Sequence, residues 1–516
     1  MTGHRGSWRR HLTTASLAAA IVAAAAAGAL GQGVNGAIGG RVLEETGPPV
    51  AGATVTARNL ATGFRQSAIS DAAGAYRIEA LPAGAYDVSA EASGFRTGLS
   101  TGAVVHASEF TNVAFALKAV VAVAVQEPQG QAGAPPPDPM KKGPRMQIYG
   151  FAMLDLINDF DQINPDWFDV ERPTKLPAFP DEFGDNGNFW ASVRQTRFGV
   201  RGWLPTGWGE VKTEFEFDLF GVGVDAGQTT IRLRQAWGSL GPFLAGQTNS
   251  VFMDGDVFPN VVEYWGPNGM VFFRNVQLRW TPIDGKGQLA IAIERPGASA
   301  DAGQYSDRIE LSGIKPNFPY PDVTAHYKYG DDWGHVQLAG IFRYMGWTDT
   351  LQDQFDLTGH AIGWGFNASS VIKVGKSGNI RLEATYGHGI ENYMNDAPVD
   401  VGIETSGGIQ PVAKGQALPI FGMVAYYDFN WSDNFSTAIG YSRLDIDNSN
   451  GQLPEAFKSG QYASTNVLWY PVKNVMTGLE FQWGRRQNFT DGFAVNDFRL
   501  QFSAQYKFNF DLGGKP

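Results

Sequence analysis

The chain contains no cysteine, which excludes disulfides, cysteine-based metal sites and thiol chemistry. The absence of cysteine suits an oxidising compartment, where an unpaired thiol would form unwanted disulfides. Positive charge is also scarce: 40 Lys and Arg residues stand against 51 Asp and Glu, for a net charge of −11. Because nucleic-acid binding requires a basic surface, the composition argues against a nucleic-acid partner.

Long apolar runs are missing as well. Beyond the N-terminus no stretch approaches the roughly 18 apolar residues of a membrane-spanning helix. The seven histidines form no H-E-x-x-H or other metal-ligand spacing, and no P-loop or dinucleotide fingerprint stands in a suitable setting. The G-x-S-x-G pattern at 98–102 does not follow a strand that leads into a helix. We therefore predict a protein that is not an enzyme and that needs no cofactor or metal.

The first residues have the features of an export signal. Arg5, Arg9 and Arg10 precede an alanine-dominated apolar run, which ends among small residues at Ala29 and Gly31. A basic start, an apolar centre and a small-residue exit are typical of a cleaved secretory signal. We predict a signal peptide over residues 1–31.

The next segment predicts a small β-sandwich over residues 32–119, because short alternating runs are broken by turn residues at close spacing. Its motifs are G-R-V at 40–42, P-V-A-G-A-T-V at 49–55, a D-x-x-G-x-Y pattern within 71–86 and S-G-F at 93–95. The segment resembles the carboxypeptidase regulatory-like domain, and the resemblance implies a non-catalytic periplasmic module. The Pro-, Ala- and Gly-containing stretch 120–146 is predicted to be an extended linker.

Strict alternation of charged and apolar residues dominates the rest of the chain. From Glu210 to Asp218 every even position is charged, while the odd positions are apolar or Thr. Residues 231–234 and 276–280 repeat the pattern, and around them short turns alternate with long loops. Since successive side chains of a strand point to opposite faces, one face is charged and the other apolar. This is the pattern of a membrane β-barrel around a hydrated lumen.

Counting these segments predicts an all-β fold for residues 147–516, a 16-stranded antiparallel transmembrane barrel preceded by the β-sandwich. An even strand number with both termini on the short-turn side fits a bacterial outer-membrane barrel, and 16 to 18 strands leave an aqueous channel. The predicted strands lie near 148–159, 197–201, 210–220, 229–240, 243–250, 274–282, 288–294, 321–329, 334–347, 358–374, 379–389, 418–430, 434–445, 459–471, 475–485 and 495–510.

Three further segments carry a family resemblance: R-Q-T-R-F-G at 194–199, E-F-E-F-D-L-F-G at 214–221 and A-G-Q-T-N-S-V-F-M-D at 245–254. Together with G-P-N-G at 266–269, they resemble the DcaP-like trimeric porins. The resemblance implies a homotrimer in the bacterial outer membrane, surrounded by its lipid, that passes small anionic solutes such as dicarboxylates.

Porin selectivity depends on pore width and on the charges that line the pore. We expect the loop 251–273 to fold inward and narrow it. Arginine suits carboxylates because its planar group binds them with two hydrogen bonds. The predicted pore-lining or solute-contacting residues are Arg197, Arg201, Arg232, Arg234, Arg274 and Arg279, and the predicted acids of the constriction loop are Asp254, Asp256 and Glu263.

Three alternatives stay open at this point. The arginines could simply pair with Glu214, Glu216 and Asp218 of the neighbouring strand and stiffen the wall. The chain could also be an energy-coupled receptor, although that class needs about 22 strands and a plug domain, or a membrane anchor for the sandwich. The aromatic residues near strand ends, among them Trp237, Trp280, Trp469, Tyr470 and Trp483, are interpreted as interface residues facing the lipid.

Overall fold

A computed structural model describes residues 35–44, 47–92, 95, 98–107, 109–117, 143–352, 356–405 and 413–513. The predicted signal peptide and most of the predicted linker lie outside these residues. The chain divides into two compact units, residues 1–121 and 122–516. Among the described residues, no helix is long and apolar enough to cross a membrane.

The N-terminal unit consists of two four-stranded sheets. Their buried faces supply one hydrophobic core that includes Ile38, Val55, Ile78 and Val88. Because these residues alternate with exposed ones, each strand turns one face inward. The strands are β1 (Gly36–Glu44), β2 (Thr54–Asn59), β3 (Arg65–Ile69), β4 (Ala75–Leu81), β5 (Gly84–Glu91), β6 (Gly98–Val105), β7 (Phe110–Asn112) and β8 (Phe115–Leu117).

The second unit is a closed antiparallel β-barrel. Its strands are β9 (Arg145–Asp159), β10 (Asn188–Ser192), β11 (Arg197–Thr206), β12 (Gly209–Phe220), β13 (Thr229–Leu240), β14 (Phe243–Asn249), β15 (Arg274–Ile283), β16 (Gly287–Glu294), β17 (Ile314–Asn317), β18 (Asp322–Asp331), β19 (Gly334–Asp349), β20 (Gly359–Val374), β21 (Gly378–His388), β24 (Pro419–Ser432), β25 (Phe435–Ile446), β26 (Phe457–Trp469), β27 (Val475–Asn488) and β28 (Ala494–Gly513). The last strand pairs with the first, from Arg499 opposite Asp159 to Gly513 opposite Arg145.

These strands occupy 16 positions around the barrel, which confirms the predicted fold. Strands β10 and β11 share one position, because both pair with β9. Strands β17 and β18 share another, because both pair with β19. The short strand Ile314–Asn317 has no counterpart among the predicted segments.

The remaining elements lie in the long loops. Strands β22 (Val401–Thr405) and β23 (Ala413–Ala417) pair with each other outside the barrel wall. A one-turn helix, α1, spans Ile309–Ser312. Short 3-10 helices lie at Pro165–Trp167, Pro173–Lys175, Gly223–Asp225, Gly255–Val257, Gly303–Tyr305 and Glu391–Tyr393.

Alternation along the strands separates a lipid-facing surface from an inner wall. In β28, Phe498 and Phe502 are exposed, whereas Arg499, Gln501 and Ser503 are buried. The lipid-facing interpretation of the aromatics is wrong for Trp237 and Tyr470. Trp237 pairs with Glu214 of the inner face, because a β-bulge in β13 shifts the alternation after Arg234. The Tyr470 ring turns inward and its hydroxyl accepts a hydrogen bond from Asn260.

Candidate functional site: a loop and a charged wall inside the barrel

The segment 251–273, called the inner loop below, lies against inward-facing residues of several strands. Its backbone N–H groups donate to Glu480 of β27 (from Val262, 2.8 Å), to Ser442 of β25 (from Gly269, 2.8 Å) and to Glu383 of β21 (from Val271, 2.6 Å). Its apolar side chains are buried together with those of the wall. Polar groups of the wall thus satisfy the loop backbone, and apolar contacts fix its path.

The start of the inner loop, just after β14, is held at Asp254. This carboxylate is buried and accepts hydrogen bonds from Lys328 Nζ (3.1 Å) and Ser369 Oγ (2.7 Å), while His335 Nε2 lies 2.7 Å away. Burial alone would raise the pKa of Asp254. The His335 hydrogen bond and the Lys328 charge outweigh burial, so the pKa lies well below its ordinary value. Asp254 therefore carries a charge at every physiological pH.

Asp256, the second predicted acid, has 67% of its side chain exposed. It shares Lys328 with Asp254, at 2.5 Å from the ammonium nitrogen. Ligand atoms of Asp254, Asp256 and His335 lie within 4.8 Å of one another, close enough to hold a metal ion. The single ammonium of Lys328 already pairs with both carboxylates, so one of their two negative charges is offset by the protein's own cation.

Glu263, the third predicted acid, is buried in the middle of the inner loop. Its carboxyl group accepts hydrogen bonds from the backbone N–H of Glu171 (3.0 Å) and from that of Gly266. Burial raises the pKa of Glu263 to about 8 despite these bonds. At neutral pH this group therefore carries a proton. It joins the inner loop to the loop 160–187 between β9 and β10, called the first long loop below, rather than charging the lumen.

Protonation of Glu263 makes the stability of the barrel depend on pH. A folded-state pKa raised above the ordinary 4.5 means that the folded chain binds the proton more tightly than the unfolded one. The contribution of Glu263 to the free energy of unfolding is therefore complete below about pH 4.5, and it declines as the pH rises towards 8. We expect Glu263→Gln to flatten the fall in unfolding temperature between pH 5 and pH 9, measured by circular dichroism in detergent.

The matched control is Glu404→Gln, since Glu404 is exposed in the described strand β22. Its stability curve should run parallel to that of the wild type. A Glu263→Gln curve that also runs parallel to the wild type would contradict the buried, protonated state of Glu263.

Two predicted arginines bind the wall acids and the inner loop at once. Arg232 donates two hydrogen bonds to Asp218, at 3.0 and 2.8 Å. Arg234 donates to Glu216 (2.7 Å) and to Asp218 (2.8 Å). Both also donate to the hydroxyl of Tyr264, which itself donates to Asp218. Because Tyr264 belongs to the inner loop, this network fastens the loop to β12 and β13.

The other predicted arginines differ in exposure. Arg197 is buried, with its guanidinium 3.8 Å from Glu216 and over the ring of Phe151. Arg201 pairs with Glu214 at 2.8 Å but keeps 20% of its side chain exposed. Arg274 is buried over Phe272 at the end of the inner loop. Arg279 is half-buried and donates to Gln277 and to the carbonyl of Asn249.

The sequence pattern does not single out three cations that the strands bring to the same wall. Lys328 of β18 is 23% exposed and Arg381 of β21 is 19% exposed. Arg381 pairs with Asp428 (2.5 Å) and donates to the backbone carbonyl of Asp256. Lys507 of β28 faces Phe151 in register. Each of the three cations alternates along its strand with lipid-facing residues. This alternation in the sequence could have identified them as inward-facing.

The first long loop is also tied to the inner wall. Arg194 donates to Asp169 at 2.5 Å, and Arg499 pairs with Glu171 at 3.3 Å. Arg172 pairs with Asp396 at 2.9 Å, which links this loop to the segment before β22. Buried ion pairs therefore join the first long loop both to the inner wall and to the long loop before β22.

Comparisons with known proteins agree with this geometry. Residues 184–508 match the family described as DcaP outer membrane protein, and residues 37–118 match the carboxypeptidase regulatory-like domain. No curated protein matches the chain in sequence.

Among solved structures, the outer membrane channel DcaP of Acinetobacter baumannii is similar, with 20% identity, a TM-score of 0.59 and coverage of 71% of this chain and 98% of that chain. OmpT, an outer membrane protein of Vibrio cholerae, shows 11% identity and a TM-score of 0.44, over 72% and 99%. The anion-selective porin from Comamonas acidovorans shows 8% identity and a TM-score of 0.46, over 71% and 100%.

The similarity to the Acinetobacter channel shows a shared fold. The family match spans more than half of the chain, from the long loop before β10 into the last strand. The chain therefore belongs to the DcaP outer membrane protein family, carries an N-terminal carboxypeptidase regulatory-like domain and forms a porin-type barrel in the bacterial outer membrane.

Proposed function

We propose that the barrel is a porin through which small anionic solutes, carboxylates above all, diffuse passively. The observation that carries this proposal is a row of inward-facing residues across neighbouring strands: Lys507, Phe151, Arg197, Asp218 and Arg232. This row contains three cations and one acid, so its net charge is positive. A positive inner wall attracts anions and repels cations.

Lys507 is the cation of this row best suited to meet a solute. It is half-buried, and its charged neighbour is Arg197 rather than an acid. Within the described part of the chain, no carboxylate forms an ion pair with it. A carboxylate solute in the lumen would therefore meet an ammonium group that no carboxylate of the described residues pairs with.

We further propose a division among the predicted arginines. Arg201 and Arg279 are partly exposed and face the solute, together with Lys328, Arg381 and Lys507. Arg197, Arg232, Arg234 and Arg274 are buried and serve mainly to neutralise the wall and to hold the inner loop. The inner loop narrows the pore, because its backbone bonds to inward-facing groups on three separate strands.

Removing the charge of Lys507 tests the proposal. One unit charge about 6 Å from a passing ion in water is worth roughly 0.7 kcal/mol, or about threefold in permeability ratio. We expect Lys507→Gln to lower the anion-to-cation permeability ratio by about this factor. The measurement is the reversal potential of single channels in planar bilayers under a salt gradient.

Lys376→Gln is the matched control, since Lys376 lies exposed in the short turn between β20 and β21. It makes the same change in net charge away from the inner wall and should leave the reversal potential unchanged. Equal shifts in both variants, or none in Lys507→Gln, would overturn the role of Lys507.

We also propose a homotrimer with the sandwich in the periplasm, as the family resemblance implies. Single-channel closures in steps of three would support the trimer. Absence of any conductance would favour the alternative of a membrane anchor, and liposome-swelling rates across small acids, sugars and amines would identify the solute class.

A further inference from the structure

The lipid-facing surface carries one polar row near the long-loop ends of β25 to β28. Arg443 lies opposite Gln461, Gln461 opposite Arg485, and Arg485 opposite Asn496. Because cross-strand partners share a face, the four side chains form one continuous line on the outside of the barrel. The residues that alternate with them, such as Ser442 and Leu444, are buried and face inward.

Aromatic residues mark where this row lies in the membrane. Tyr441, Trp483 and Phe498 share the outward face, each two positions from the row on the side towards the middle of the barrel. Outer-membrane barrels have girdles of aromatic residues at the level of the lipid headgroups. The row therefore lies just beyond the girdle, at the depth of headgroup phosphates in the outer leaflet.

The hydrogen bonds of the row leave donors directed outward. Gln461 Oε1 accepts from the hydroxyl of Tyr441 at 2.8 Å. Asn496 Oδ1 accepts from Arg485 (3.2 Å) and from the Trp483 indole (3.3 Å). Since both amide oxygens are engaged within the protein, the two amide NH₂ groups remain available to a partner.

Charge favours an anion at the same place. Arg443 donates to both oxygens of Asp445, at 2.6 and 2.8 Å, which fixes its guanidinium while 43% of the side chain stays exposed. Arg485 bonds to a neutral amide, so within the described residues no acid offsets its charge. The exposed Lys458 stands in the bulge at the start of β26, at the same end of the barrel.

We propose that this row binds the phosphate group of an anionic glycolipid in the outer leaflet. Guanidinium groups bind phosphate oxygens with paired, charge-assisted hydrogen bonds. The guanidinium of Arg485 and the two amide NH₂ groups in line match a headgroup that offers only acceptors, and the exposed part of Arg443, whose charge Asp445 offsets, extends the row. The proposal is independent of what passes through the lumen.

The test compares the full-length protein with an Arg443→Gln/Arg485→Gln variant in nanodiscs that contain bisphosphorylated lipid A. Lipid retained after exchange into detergent is counted by native mass spectrometry. We expect retention by the variant to fall at least about fivefold, as loss of two charge-assisted hydrogen bonds predicts. Retention of dephosphorylated lipid A should not differ between the two proteins, and added inorganic phosphate should not displace the bound lipid.

Folding is checked by the mobility shift of the unheated barrel in gel electrophoresis. Should the double variant fail to fold, Gln461→Glu places a repelling carboxylate in the row and is expected to reduce retention likewise. Equal retention by variant and wild type, or equal binding of the dephosphorylated lipid, would overturn the proposal. Dissociation of an oligomer in the variant would also overturn it, since the row would then be a contact between copies of the chain.

Discussion

Replacing Arg232 and Arg234 together by glutamine is expected to lower the anion-to-cation permeability ratio by about fivefold or more, since one uncompensated charge near the ion path is worth roughly 1–3 kcal/mol. The double variant removes both guanidiniums that bind Asp218 and leaves Glu216 with only Arg197, at 3.8 Å. It also weakens the hold on Tyr264, because both arginines donate to its hydroxyl. Reversal potentials in planar bilayers measure the ratio.

The quadruple variant Glu216→Gln/Asp218→Asn/Arg232→Gln/Arg234→Gln separates the two roles that the arginines could have. It removes two acids and two cations, so the net charge of the wall is that of the wild type. If these buried arginines only neutralise the wall, the quadruple variant regains the wild-type ratio, and this is the result we expect. A ratio as low as that of the double variant would instead mean that Arg232 and Arg234 contact the solute.

The strands could be predicted closely because alternation is a local property. The segment 210–220 was sufficient to predict β12, observed at Gly209–Phe220, and 495–510 to predict β28, observed at Ala494–Gly513. Strand β17 could not be predicted, because its sequence, Ile-Lys-Pro-Asn, shows no alternation and contains a proline. It is extended because it continues the line of β18 and pairs with the far end of β19.

The site could be predicted only in part, because parity gives the face of a side chain but not its partner. Parity placed Arg232 and Asp218 on the inner wall, but their pairing depends on register across two strands. The bridge through Tyr264 depends on the path of a loop with no repeating pattern. Trp237 turns inward because of a β-bulge. The sequence does not predict this bulge, because no turn residue marks it and the strand continues through it.

Releasing the start of the inner loop should widen the pore. In Asp254→Asn one of the two oxygens becomes an NH₂ group, which would face either Lys328, the donor to Oδ1, or His335 and Ser369, the partners of Oδ2. Leaving buried donors unsatisfied costs about 1–3 kcal/mol, enough to populate substantially conformations in which the start of the inner loop is released from the wall. We expect larger mean single-channel conductance and more current noise.

Asp256→Asn removes an equal charge from an exposed side chain that shares only Lys328 with Asp254, so its conductance and noise should stay close to wild type. Because the two variants differ in burial and in number of partners but not in charge, a change of the same size in both would assign the effect to electrostatics. That outcome would contradict the conclusion that Asp254 holds the start of the inner loop in place.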